Sequence, residues 1–419
     1  MAWIWPWVVH LQQQALNRIT TRRLPLKTTP IAHAAALCLL AAAGASHAVS
    51  FTQGDVTLDI NGTVNGFYVN REVKTTPTGG AETKTSNSAI SNGLLPGWIN
   101  FVATAKAGDQ DVKAHFGFAP GIMNNSTIVG LPSAASGVGA YSQVDTRNVY
   151  FQFGNDSWGR IKLGRDIGLF GQNIVLSDMT LLGVGGTSNA GTPFNTTFGM
   201  IGHGYMYTGF QPQISYSSPK LGGLQASAGI FQPSAYAGNE TKTPGVQAMA
   251  SFDFAGAAPG KVWAGLVSQD TSCSGTCATV PHAASGYELG AKAGVAGFEG
   301  VLYAFKGKGL GLSTIGAQFL GGGDAAGNKT DSQGFLAQVT YKIGDTKLGV
   351  NYGKNTDEGG ATAGVFGAPK NDRKAVTFGA YHSLNKYITL VGELNQEKQT
   401  NAAAVEKVRT ISLGGIMFF

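Results

Sequence analysis

The sequence predicts an all-β fold: a sixteen-stranded antiparallel β-barrel that crosses a membrane, with short turns at one end and long loops at the other. The first observation is a hydrophobic period of two. From Val56 the chain sets Val56, Leu58, Ile60, Gly62 and Val64 against Thr57, Asp59, Asn61, Thr63 and Asn65, so one face of an extended strand is apolar and the other wet. The second observation is composition. Charged residues are only 13% of the 419, well below the usual share of about 25%. Yet after Ala48 no apolar run approaches the roughly 20 residues that a membrane helix needs. Low charge without apolar runs fits a barrel wall, in which every second side chain meets lipid. The third observation is the rhythm of the connections. Short turns at 108–111, 155–159, 218–223, 255–260, 296–299, 344–346 and 383–386 alternate with long polar segments at 71–91, 119–146, 166–208, 232–243, 269–286, 306–331, 354–371 and 397–404.

Taken from the start, residues 1–48 read as a signal peptide. Arg18, Arg22, Arg23 and Lys27 stand without an acid ahead of an apolar stretch from Ile31 to Ala43, and Ser46-His47-Ala48 offers the small residues a signal peptidase requires. Cleavage is expected after Ala48, leaving 49–419 as one barrel domain. Those four cations supply much of the net charge of +6, so that charge is no argument for nucleic acid.

The strands follow in order. After Val56–Asn65 come Ile99–Lys106 and Val112–Phe118, a hairpin around Gly108-Asp109. Asn148–Phe153 and Arg160–Leu163 form a second hairpin, whose polar face is basic. Ile214–Tyr216 turns at Ser218-Pro219-Lys220 into Leu224–Ile230, and Val246–Phe254 turns into Val262–Leu266. The remaining strands are expected at Tyr287–Val295, Gly300–Phe305, Phe335–Ile343, Leu348–Tyr352, Val376–Ala380, Ile388–Leu394 and Val405–Phe419. The even count allows closure with both termini on one side. In hydrocarbon each unpaired edge group costs several kcal/mol, so the last strand must pair with the first. A soluble β-sandwich would bury the apolar parity instead; the strand count, the loop rhythm and the final strand argue against it.

Ile411 to Phe419 alternates to its last residue. Leu413, Met417 and the terminal Phe419 resemble the signal that the outer-membrane assembly machinery reads on a last strand, which implies that machinery and periplasmic chaperones as partners. Two further stretches carry a family likeness. Arg147-Asn148-Val149-Tyr150-Phe151-Gln152-Phe153-Gly154, followed by Trp158-Gly159-Arg160-Ile161-Lys162-Leu163-Gly164-Arg165, resembles the hairpin before the third loop of Gram-negative general porins of the β-proteobacterial type. Ile214-Ser215-Tyr216-Ser217-Ser218-Pro219 with Leu221-Gly222-Gly223-Leu224 is similar to the hairpin after it. The resemblance implies a homotrimer in the outer membrane, contacting lipid and lipopolysaccharide. It also implies that the third loop, 166–208, folds inward and narrows a water-filled channel for small hydrophilic solutes and ions.

Expected roles divide by charge. Lys113, Arg147, Arg160, Lys162 and Arg165 form a basic ladder on the inner wall or its rims. The family pattern puts several acids on the constriction loop; here it bears only Asp166 and Asp178, with His203 near its end. Lumen acids at Asp59, Asp253, Glu288 and Glu393 offset part of the basic field. The expectation is a weakly anion-selective or poorly selective pore. A substrate-specific channel for sugars or organic anions would share this fold, as would a closed barrel with a structural or adhesive role. Cys273 and Cys277 are expected to form a small loop disulfide rather than a metal site. No cofactor and no catalytic residue is expected: Gly322–Thr330 nearly spells a phosphate loop, but Asn328 interrupts the required Gly-Lys pair.

Overall fold

Alternation becomes ladder along most of the chain. The computed structural model describes residues 48–122, 144–187, 196–207, 209–234, 239–273, 283–311, 329–358 and 370–419. Of the expected signal segment 1–48, residues 1–47 lie outside these, as do Cys277 and the disulfide expectation. The strands are β1 Val49–Gln53, β2 Val56–Pro77, β3 Thr83–Ser91, β4 Trp98–Ala107, β5 Gln110–Pro120, β6 Val144–Asn155, β7 Gly159–Ile167, β8 Phe210–Ser217, β9 Leu224–Phe231 and β10 Asn239–Glu240. They continue with β11 Gly245–Phe254, β12 Gly260–Gln269, β13 Ser272–Cys273, β14 Ala284–Val295, β15 Phe298–Lys308, β16 Asp331–Ile343, β17 Thr346–Asp357, β18 Asn371–Ser383, β19 Ile388–Thr400 and β20 Ala404–Phe418.

These make a closed antiparallel barrel of sixteen strand positions. β3 and β4 share one position, following each other along β2 with Tyr68 opposite Ile90 and Ile60 opposite Phe101. β10 and β13 pair only with each other. The seam closes on β2, whose upper part pairs with β20 from Thr63–Phe418 to Pro77–Ala404. Below that, β1 completes the same edge, with Val49 opposite Ile60. Gly62 and Phe419 exchange backbone hydrogen bonds of 2.9 and 3.1 Å, so the last residue is itself stitched into the seam.

The predicted apolar parity faces outward. Val64, Phe116, Phe151, Leu266, Leu289, Leu302, Phe378, Leu413 and Met417 are all exposed. An exposed belt of this size would cost about 25 cal/mol per Å² in water, and costs nothing against acyl chains. Among the described residues no helix is long and apolar enough to cross a membrane; the strands do the crossing.

Two expected loops are largely strand. β2 runs twelve residues beyond Asn65, and β3 lies within the segment read as loop 71–91, leaving only 78–82 as connection. The physical reason is a polarity inversion: Phe67, Val69 and Val73 point into the lumen and are buried there, while Glu72 and Lys74 take the outward parity. A strand whose sides exchange character halfway has no single apolar face to read. Similarly, β19 and β20 extend through most of 397–404, leaving 401–403.

Candidate functional site

The long connection between β7 and β8 turns into the barrel. It carries a short helix α1, Gln172–Val175, and a 3-10 turn over Met179–Leu182, then returns to the wall at Phe210. Its apolar side chains Phe170, Ile174, Met179, Phe198, Met200 and Tyr205 pack against inward residues Trp263, Tyr303, Phe305, Leu336, Tyr381 and Val391, so the lumen holds a hydrophobic core.

The loop is tied down strand by strand. Gln247 of β11 accepts hydrogen bonds from the amides of Leu169 and Phe170 at 2.8 and 3.0 Å. Glu288 of β14 accepts from the Gly171 amide at 2.9 Å and the Tyr303 hydroxyl at 2.8 Å. Gln338 of β16 accepts from the Met179 amide at 2.8 Å and donates to the Ser177 carbonyl at 2.8 Å. Glu393 of β19 accepts from the amides of Val184 and Gly185 at 2.7 and 2.8 Å, and from the Tyr381 hydroxyl at 2.6 Å. Four residues on, Glu397 accepts from the Thr187 amide at 2.8 Å. Each anchor satisfies loop N–H groups that burial would otherwise leave unpaired, at about 1–3 kcal/mol apiece.

Asp178 is the hub of the loop. Its carboxylate accepts from the amide and hydroxyl of Thr180 at 2.9 and 2.7 Å, the Met200 amide at 3.1 Å, the Tyr205 hydroxyl at 2.9 Å and Asn351 of β17 at 3.3 Å. Burial pushes this carboxyl above its ordinary value, against the pull of those donors. The buried His203 lies with Nε2 3.3 Å from Glu397.

These contacts correct the expected roles of the acids. Asp178 folds the loop rather than facing a pore, and Glu288 and Glu393 are buried beneath the loop, where they hold its backbone amides. Asp166 belongs to β7, not to the loop, and is buried against Lys162 and Asn148, which donates to it at 2.7 Å. Asp253 pairs with Lys220 and Lys261 near the short-turn end, while Asp59 accepts from Ser50 in the β1–β2 hairpin.

The basic ladder is shorter than expected. Lys113 and Lys162 do meet, both over the Tyr150 ring at 5.6 and 4.9 Å, beside the buried His115. Arg147 falls at a register shift between β5 and β6 and is buried over the rings of Trp98 and Phe210, with Asp145 at 3.0 Å. Arg160 sits near the short turns and bridges Asp111 and Asp156 at 3.2 and 2.8 Å. Arg165 is opposite Val149 and Pro212, on the outward parity, so it does not line the lumen. Sequence reasoning missed Gln247, Gln338, Asn351 and Glu397, because an inward amide looks like any lumen residue until the register places it under the loop. Glu397 had one available signal, since it shares the face of Glu393. Also missed was Lys347, an inward lysine over the Tyr381 ring at 5.1 Å.

A closed barrel with an apolar outer wall, a polar inner wall and one long loop held inside defines a class, the outer-membrane channels. The chain belongs to the Gram-negative porin family, whose profile matches residues 34–402. No curated protein matches the sequence. Among solved structures, the outer membrane channel DcaP of Acinetobacter baumannii superposes with a TM-score of 0.60 at 15% identity, covering 88% of this chain and 99% of that one. OmpT of Vibrio cholerae gives 0.54 at 12% identity, covering 88% and 100%. OmpF of Salmonella typhi gives 0.51 at 14%, covering 87% and 100%. The protein is thus a β-barrel channel of the Gram-negative outer membrane.

Proposed function

We propose that the channel passes small hydrophilic solutes and ions by passive diffusion, with weak anion preference and no catalysis. The observation that carries this reading is the division of labour on the inner wall. The acids Glu288 and Glu393 are buried under the loop, away from a passing solute, whereas Lys113 and Lys347 line the lumen with no ion pair within 4 Å among the described residues. Most other inward cations are answered locally, as Lys292 is by Glu299 at 3.0 Å and Lys261 by Asp253 at 3.5 Å. A small positive surplus in a narrow, partly desolvated path favours anions modestly.

A homotrimer is the assembly we propose, supported by the family and by the trimer form of Vibrio cholerae OmpT, which shares the fold at 13% identity. Residues 1–48 would serve as the cleaved signal peptide, and Leu413, Met417 and Phe419 as the strand read by the assembly machinery.

The test is a reversal potential across a planar bilayer under a tenfold KCl gradient. The wild-type barrel is expected to show a small displacement toward chloride, and Lys113→Gln combined with Lys347→Gln should move it toward potassium. A strong cation preference in the wild type, or no open conductance step at all, would overturn the reading.

A further inference from the structure

The infolded loop leaves one arc of the wall open. Its anchors fall on β11, β14, β16, β17 and β19, and the hydroxyls of Thr187 and Thr410 add β20 at 3.0 Å. None of these anchors lies on β4, β5, β6 or β7. Between Gly168 and Tyr207 the loop has a single carboxylate, that of Asp178, and it is buried. The loop therefore turns no acid toward the passage. What it leaves at its surface is largely apolar: Leu176, Leu181 and Leu182 pack against the core yet stay half-buried.

From these leucines a continuous lining leads to cations on the open arc. Leu181 and Leu182 pack, together with Trp98 of β4, against Leu95, Ile416 and Phe418. The guanidinium of Arg147 lies 5.3 Å from the centre of the Trp98 ring. Three residues along β6, the Tyr150 ring has Lys162 at 4.9 Å and Lys113 at 5.6 Å. Aromatic faces hold these heads on the wall without cancelling their charge. Of the three cations, Arg147 is answered by Asp145 at 3.0 Å and Lys162 by Asp166, so Lys113 carries the one surplus charge of the group.

The passage is thus amphipathic, with leucines on the loop and a positive charge among aromatic rings on the wall. A hydrated inorganic ion sheds water against the leucines and regains nothing there, while a neutral sugar gains nothing from an ammonium group's charge. A carboxylate with an apolar body meets both sides. We propose that the channel's preferred solutes are small monocarboxylates bearing an aryl or alkyl group, the carboxylate passing along Lys113 and Lys162 while the apolar group rides over Leu181, Leu182 and the Trp98 ring. This names a solute class within the diffusion reading above and rests on that reading. One surplus charge suits one carboxylate; a dianion would bring a second charge that the group does not answer. Contact with half-buried leucines, rather than enclosure in a pocket, keeps the binding weak enough for the solute to leave.

The test uses the full barrel in a planar bilayer, with single-channel current recorded in KCl while benzoate, acetate, gluconate or neutral benzamide is titrated in. Acetate shares the charge of benzoate, gluconate adds hydrophilic bulk, and benzamide keeps the ring without the charge. Benzoate is expected to reduce the current with a half-blocking concentration roughly ten-fold below those of the other three. Leu181→Ser combined with Leu182→Ser should raise the benzoate value toward that of acetate, and Lys113→Gln should raise it toward that of benzamide. In the wild type, equal half-blocking concentrations for benzoate and acetate, or for benzoate and benzamide, would overturn the proposal while leaving a diffusion channel standing. Unchanged benzoate block in the leucine variant would overturn it as well. The absence of any open step, or a strong preference for potassium, would instead overturn the diffusion reading on which it rests.

Discussion

At Glu393 one carboxylate meets three donors: the amides of Val184 and Gly185 through one oxygen, and the Tyr381 hydroxyl through the other. Replacing it by Ala strands all three groups in a buried place, and each orphaned donor costs about 1–3 kcal/mol. Glu393→Ala is therefore expected to free the loop around Val184 while leaving the strand ladder intact. Protease cleavage near that residue in the folded barrel, together with larger and noisier single-channel steps, would report the release; unchanged cleavage and unchanged conductance would count against the anchor. A different residue-scale expectation concerns Ala296, in the two-residue turn joining β14 to β15. Its φ is +50°, a left-handed backbone that a Cβ disfavours by about 1–2 kcal/mol, and the next residue, Gly297, has φ +85°. Ala296→Gly should raise the melting temperature in detergent without altering conductance, the gain reduced by the extra freedom of glycine in the unfolded chain.

The infolded loop is an element that behaves as a separate small core. It buries Phe170, Ile174, Phe198 and Met200 inside a barrel whose wall is otherwise polar, and the wall strands supply both apolar partners and acceptors. Close approach matters as much as apolar contact. Gly353 of β17 lies directly beneath the loop, where a Cβ would strike the carbonyl of His203. Gly353→Ala is expected to lift the loop, raising single-channel conductance and lowering thermal stability by about 1–3 kcal/mol, as overpacking does; an unchanged pore would show that the loop is not seated there. How legible this element was follows from the same contacts. Alternation could mark 166–208 as the longest connection, but it could not tell that Glu288 and Glu393 would be used up holding it. Those two residues read as lumen charge because their strand parity is inward, and parity does not say what stands opposite. Arg147 escapes the alternation for a related reason: one irregularity in the β5–β6 register brings its side chain over the rings of Trp98 and Phe210.

For the whole molecule, closure is the governing event. The ladder from β2 to β20 and the bonds between Gly62 and Phe419 leave no edge exposed at the seam. Phe419→Ser keeps the backbone bonds of that residue and removes only its ring. The purified variant is expected to refold in detergent as the wild type does, while its yield in the outer-membrane fraction of cells falls. Equal yield in cells would remove Phe419 from the assembly signal.

Local chemistry alone determined the barrel, its sixteen strands and the face that meets lipid, because a period of two is a property of neighbouring residues and most spanning strands repeat it. It also located the two lysines, Lys113 and Lys162, that line the inner wall together. What only the tertiary structure decided is which inward charges remain available to a solute. That depends on where a loop of about forty residues comes to rest against strands distant in the chain, as when Glu393 receives the amide of Val184, 209 residues away.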